Sequence, residues 1–168
     1  MSGDDAQISR AEFVNKFGGV YEHSPWVAEQ CYEKTRSATL DELASRFAAC
    51  VDDASREVRL ALIRAHPDLA GRAAVQGELT VESGEEQASA GIDLCTPEEY
   101  EQFVMFNDAY KKKFGFPFVM AVRNSNRLMI LAAFAKRIHH DEETEFETAI
   151  REIHKIARLR LEAMNDDD

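Results

Sequence analysis

Apolar residues recur at steps of three and four along most of this chain. Tyr100, Phe103, Val104, Tyr110 and Phe114, with Asn107 among them, follow one such stripe, and Phe146, Ile150, Ile153, Ala157 and Leu161 follow another. That spacing lays one face of an α-helix against a core. Start signals agree with it. Ser9 with Glu12, Thr39 with Glu42 and Thr96 with Glu99 have the capping-box spacing, in which each side chain satisfies a backbone donor that the first helical turn leaves without a partner. Pro25 after Ser24 and Pro97 after Thr96 suit a first helical position, where the missing N–H costs nothing. Stops fall at Gly18-Gly19, Pro67, Gly91 and Gly115. The pattern predicts helices near 9–17, 25–36, 40–51, 54–65, 80–90, 97–114, 125–139 and 142–164. Only Phe116 to Arg123 has a strand-like composition, and one strand has no sheet to join. The expected fold is therefore all-α, a single-domain bundle of about eight helices over 1–168 with an extended loop near 116–123.

Composition narrows the function. The 168 residues are 45% hydrophobic, enough for folding to bury roughly 70% of the unfolded chain's surface. Lys plus Arg number 20 against 31 Asp plus Glu, a net charge of −11. That is the wrong sign for binding nucleic acid or an acidic membrane surface. The longest strongly apolar run, Leu128 to Ala135, is far short of a bilayer span, and the polar start, Met1 to Gln7, does not read as a secretory signal. Cys31, Cys50 and Cys95 are odd in number and widely spaced, which suits reduced thiols in a reducing compartment. Patterns for a metal centre, a P-loop or an activated serine do not occur, so no metal or other cofactor is expected.

Four stretches could carry chemistry. In His66-Pro67-Asp68-Leu69-Ala70-Gly71, the proline ends a helix and makes His66 leave it at a fixed angle. Its place at the negative pole of the helix dipole favours the protonated ring and a raised pKa, as a proton donor needs. A histidine that merely caps its helix reads the same way. Ser83, Glu86 and Gln87, at i, i+3 and i+4 of a helix capped by Thr80, share one side with the small Ala90. They offer a hydroxyl, a carboxylate and an amide to a ligand, or else form part of a solvated acidic face. In the last helix Arg160 falls inside the apolar stripe while Arg158 lies on the polar side. An inward guanidinium needs an anion, either a core carboxylate such as Glu86 or a ligand. Phe114 to Val122 sets three phenylalanines around a Gly and a Pro, an apolar wall whose backbone groups are not committed to a helix and can recognise amide-like edges.

Taken together, the runs at His66 to Gly71, Leu79 to Gly91, Phe114 to Val119 and Lys155 to Leu161 resemble the 2-oxo-4-hydroxy-4-carboxy-5-ureidoimidazoline (OHCU) decarboxylases over almost the whole chain. These enzymes of urate breakdown form (S)-allantoin. The resemblance implies an all-α, cofactor-independent and commonly dimeric enzyme, and for this chain a free-standing cytoplasmic homodimer acting on a small ureidoimidazoline. It implies that His66 is catalytic and that Glu86 binds substrate, and the mechanism read from the two gives Glu86 a catalytic part, orienting His66 or binding the ureido N–H groups. It further implies that Pro67, Ser83, Gln87 and Arg160 bind substrate, with backbone contacts from Phe118, Val119, Met120, Ala121 and Val122. The competing readings are a non-catalytic helical module that binds a ureide or a partner helix in the same cleft, and a metal-dependent amidohydrolase.

Overall fold

A computed structural model of the chain describes residues 8–32, 39–70 and 79–166. Among the described residues the α-helices are α1 (Arg10–Phe17), α2 (Trp26–Cys31), α3 (Leu40–Asp52), α4 (Arg56–Arg64), α5 (Val81–Ser89), α6 (Pro97–Phe114), α7 (Arg127–Arg137) and α8 (Glu142–Asp166). A short 3-10 turn, Ile92–Leu94, links α5 to α6. The fold is all-α, as the hydrophobic period requires.

Local chemistry sets the ends. The reciprocal capping boxes form at Ser9–Glu12 and Thr96–Glu99. At Thr39 only half of the expected box forms: the hydroxyl accepts the Glu42 N–H without the return bond. Ser55, Thr80 and Asn126 also cap their helices, so α4 and α7 begin two residues later than the spacing predicts. Ser24 does not cap α2. Its hydroxyl donates to the Glu22 carbonyl, and Pro25 takes the cap position instead. The stretch 33–36, expected to continue this helix, lies outside the described residues, as does Gly71. Gly91 and Gly115 end their elements in the left-handed region, at φ 74° and 77°, where a side chain would be strained.

The buried apolar residues form one cluster, built around Phe47, Phe103, Tyr110, Phe118, Phe134 and Phe146. α8, with 25 residues and so roughly 37 Å long, runs against α3, α4 and α6. The segment 116–123 is irregular, and it buries Phe116, Phe118, Val119 and Val122 in that core. Ala90, expected on a face not built to fill a core, is part of the core. Among the described residues no helix is long and apolar enough to cross a membrane.

Candidate active site

α4 runs out at Ala65 because Pro67 cannot continue it, and His66 turns inward, only 8% exposed. Its Nδ1 lies 2.8 Å from the Leu62 carbonyl. A carbonyl only accepts, so Nδ1 carries the proton and Nε2 keeps a bare lone pair. Burial pushes the imidazole down from 6.5 to about 4. The Leu62 carbonyl and the Glu22 charge push it up, and they do not overcome that loss of solvation. This corrects the upward shift expected from the helix dipole, since desolvation outweighs a terminal partial charge. The resting ring is neutral at pH 7.

The turn that follows is held from three sides. Ala70 adopts φ 54°, an unusual conformation for a residue other than glycine. Gln87 in α5 accepts the Ala70 N–H at 3.1 Å and donates to the Asp68 carbonyl at 3.4 Å. From α6, Asn107 donates to the Leu69 carbonyl at 2.9 Å and Lys111 pairs with Asp68 at 2.6 Å. The Gln87 amide, expected to be offered to a ligand, is thus already spent on the turn that carries His66.

Ser83 and Glu86 lie one helical turn apart on the same side of α5, and Arg160 reaches them from α8. The guanidinium is buried, as its helical phase requires, whereas the Arg158 side chain is 48% exposed. Arg160 Nε donates to Glu86 Oε1 at 2.7 Å and its Nη1 to the Gly19 carbonyl at 3.0 Å. Nη2 donates to Glu22 Oε2 at 2.8 Å. Glu22 is the functional residue that the sequence reading missed. It lies in the irregular segment between α1 and α2, fully inside, and accepts the hydroxyls of Thr80 and Ser83 besides the guanidinium. Burial pushes the Glu22 carboxyl up, but the Arg160, Ser83 and Thr80 hydrogen bonds and the Arg160 charge leave it below the usual carboxylate range. The inward arginine was its only signal: a buried guanidinium demands an anion, and here it has two.

The remaining wall comes from 116–123. Phe118, Val119, Met120 and Val122 line the same cavity as His66, Pro67, Ser83, Glu86, Gln87 and Arg160, joined by Leu69 and Ile156. Ala121 does not line it. The backbone of this wall is less free than its sequence suggests, because Arg137 donates to the Val119 carbonyl at 2.8 Å and Ser125 N–H to the Val122 carbonyl at 3.0 Å. The cavity measures about 30 Å³, room for one or two waters. A cleft of about 250 Å³ between α1, α5 and α8 adjoins it and shares Glu86 and Arg160 as its border.

Other proteins share this chain's sequence and shape. The family model described as OHCU decarboxylase matches residues 6–162. A Haloferax volcanii protein named 2-oxo-4-hydroxy-4-carboxy-5-ureidoimidazoline decarboxylase is 48% identical over 158 residues, covering 92% of this chain and 92% of its own length. A Mus musculus protein of the same name is 37% identical over 150 residues, covering 89% of this chain and 84% of its own. The crystal structure of (S)-allantoin synthase superposes with a TM-score of 0.74 at 35% identity, over 94% of this chain and 51% of that one.

Proposed function

The chain belongs to the OHCU decarboxylase family, and on that footing we propose that it decarboxylates 2-oxo-4-hydroxy-4-carboxy-5-ureidoimidazoline to (S)-allantoin with His66 as the group that moves protons. The observation that carries the reading is the gathering of His66, Ser83, Glu86 and Arg160 with the irregular 118–122 wall around one cavity. An imidazole with a free lone pair, a carboxylate, a guanidinium and uncommitted backbone groups are the tools that this substrate asks for.

The substrate carries a hydroxyl and a carboxylate on one ring carbon, beside an imine carbon that bears the ureido group. When the bond to the carboxyl carbon breaks, its electron pair forms a double bond between the two ring carbons and the imine nitrogen takes a proton. The hydroxyl then releases its proton to become a carbonyl, and the neighbouring carbon receives one on a single face. The imine is itself the electron sink. The protein's part is to hold the carboxylate out of the ring plane and to manage protons on one side.

Arg160 attracts the carboxylate, and Glu86, the more accessible of its two partners, gives way to it or turns to the ureido N–H groups. Backbone groups of Phe118 and Met120 meet the ureide edges. His66 Nε2 first passes a proton from solvent to the imine nitrogen, then takes the hydroxyl proton and returns it to carbon, ending neutral as it began. The surrounding phenylalanines exclude water and strengthen each of these contacts.

The test is to generate the unstable precursor from urate with the upstream enzymes and to follow the circular dichroism of allantoin. Adding the protein should give rapid formation of one enantiomer. Racemic product at the spontaneous rate would sink the proposal.

A further inference from the structure

The charges around Arg160 do not balance. One guanidinium, 5% exposed, meets Glu22 at 2.8 Å and Glu86 at 2.7 Å, whose side chains are 1% and 13% exposed. Among the described residues no other cation faces the inner cavity itself. His23 Nε2 stands 3.8 Å from Glu22, but that ring is 65% exposed. Lys111, behind the His66 turn, is already matched by Asp68 at 2.6 Å. Lys16 and Arg123 border only the outer cleft, where Glu82 and Glu85 offset their two charges, and Arg123 gives an N–H to the Leu159 carbonyl. The inner site therefore rests one negative charge in excess.

The two carboxylates are held differently. Glu22 does not line the cavity. It is pinned by two hydroxyls and the guanidinium. Glu86 faces the cavity and the outer cleft as well.

We propose that Glu22 is a positioning residue that anchors Arg160 from behind and keeps the site one negative charge in excess, so that the anionic substrate enters together with one proton, which His66 takes up. This rests on the decarboxylase reading and deepens it. With the substrate carboxylate added, three carboxylates share one guanidinium in a region shielded from water. A unit charge about 4 Å away, at the effective dielectric of a partly buried site, changes proton affinity by roughly a thousandfold. That lifts an imidazole resting at about 4 into the neutral range.

The stoichiometry fits. The substrate anion plus one proton gives neutral allantoin plus CO₂: the carbon–carbon bond breaks, and the electron pair it leaves ends in a carbon–hydrogen bond. The proton that enters with the substrate is the one that the reaction consumes, and His66 returns to its neutral resting state.

The experiment is the pH dependence of KM for (S)-allantoin formation, at constant ionic strength. For the wild type KM should rise nearly tenfold from about pH 5 to 6 and about fivefold more by pH 7, because close to one proton binds with each substrate over that range. In Glu22→Gln the site with substrate carries only the net charge that the wild type carries at rest, so KM should change by less than about twofold over that range. A purely structural role for Glu22 would raise KM at every pH and leave the slope intact. A flat wild-type profile overturns the proposal whether or not the variant folds, and so does a slope that persists in Glu22→Gln. A slope that vanishes in His23→Gln moves the proton to His23 and also overturns it. Absence of enantiomeric excess at every pH would instead defeat the decarboxylase reading itself.

Discussion

Among the described residues two arginines are buried beside glutamates, and they differ in how their charge is matched. Arg137 meets one carboxylate, Glu145, at 2.8 Å. Every further partner of that pair is a group that need carry no charge: the Tyr110 hydroxyl, the His140 ring and the Val119 carbonyl. The guanidinium also lies 4.1 Å from the centre of the Phe118 ring. Arg160 meets two carboxylates and borders a cavity. A pair inside a core whose charges match has no net charge to offer a ligand and serves as scaffold, even with Arg137 Nη2 left without a hydrogen bond, whereas an unmatched cluster that faces a cavity retains an electrostatic demand that a ligand or a proton can meet. The first cluster supports the second, since Arg137 fixes the carbonyl of a residue in the cavity wall.

Three measurements would break or sharpen this contrast. The largest effect is expected for His66→Asn, which should lower the rate of (S)-allantoin formation by about 10² to 10⁴ while circular dichroism still reports the folded helices. Retained turnover would remove His66 from the chemistry. Next, Glu145→Ala strands the buried Arg137 charge and should cost about 3 to 5 kcal/mol in denaturant unfolding. A loss below about 1 kcal/mol would deny the scaffold role. The smallest effect concerns acid stability. The His66 ring is held neutral down to about 4 in the fold against 6.5 in the open chain, so the unfolded state binds more protons between those values. Stability should therefore fall as pH drops from 6.5 to 4, by about 3 kcal/mol from this group. In His66→Asn that slope should flatten. Glu22, whose carboxyl is held below its ordinary range, loses its contribution only as pH falls further, through its folded value.

Periodic segments were the readable ones. The steps of three and four along α8 placed Arg160 inside and Arg158 outside, and the side-chain exposures of 5% and 48% agree. The 97–114 helix was legible to the residue because a capping box, a proline and a glycine mark both of its ends. Glu22 was not legible, because it sits in an irregular stretch where no period tells which way a side chain points. The direction of the His66 shift is hidden from the sequence for a related reason. Proximity to a helix end can be read locally, but depth of burial depends on segments that are distant in sequence. Gln87 was found on the right face, yet its partner could not be foreseen, since the Ala70 turn departs from ordinary backbone geometry.

The 138 residues that separate Glu22 from Arg160 bear on how the protein is made. At roughly 5 to 20 residues added per second, a nascent chain makes Glu22 about seven to thirty seconds, and Glu86 about half as long, before their shared counter-ion. Until the final helix is made, the two acids lack the guanidinium that joins them in the folded chain.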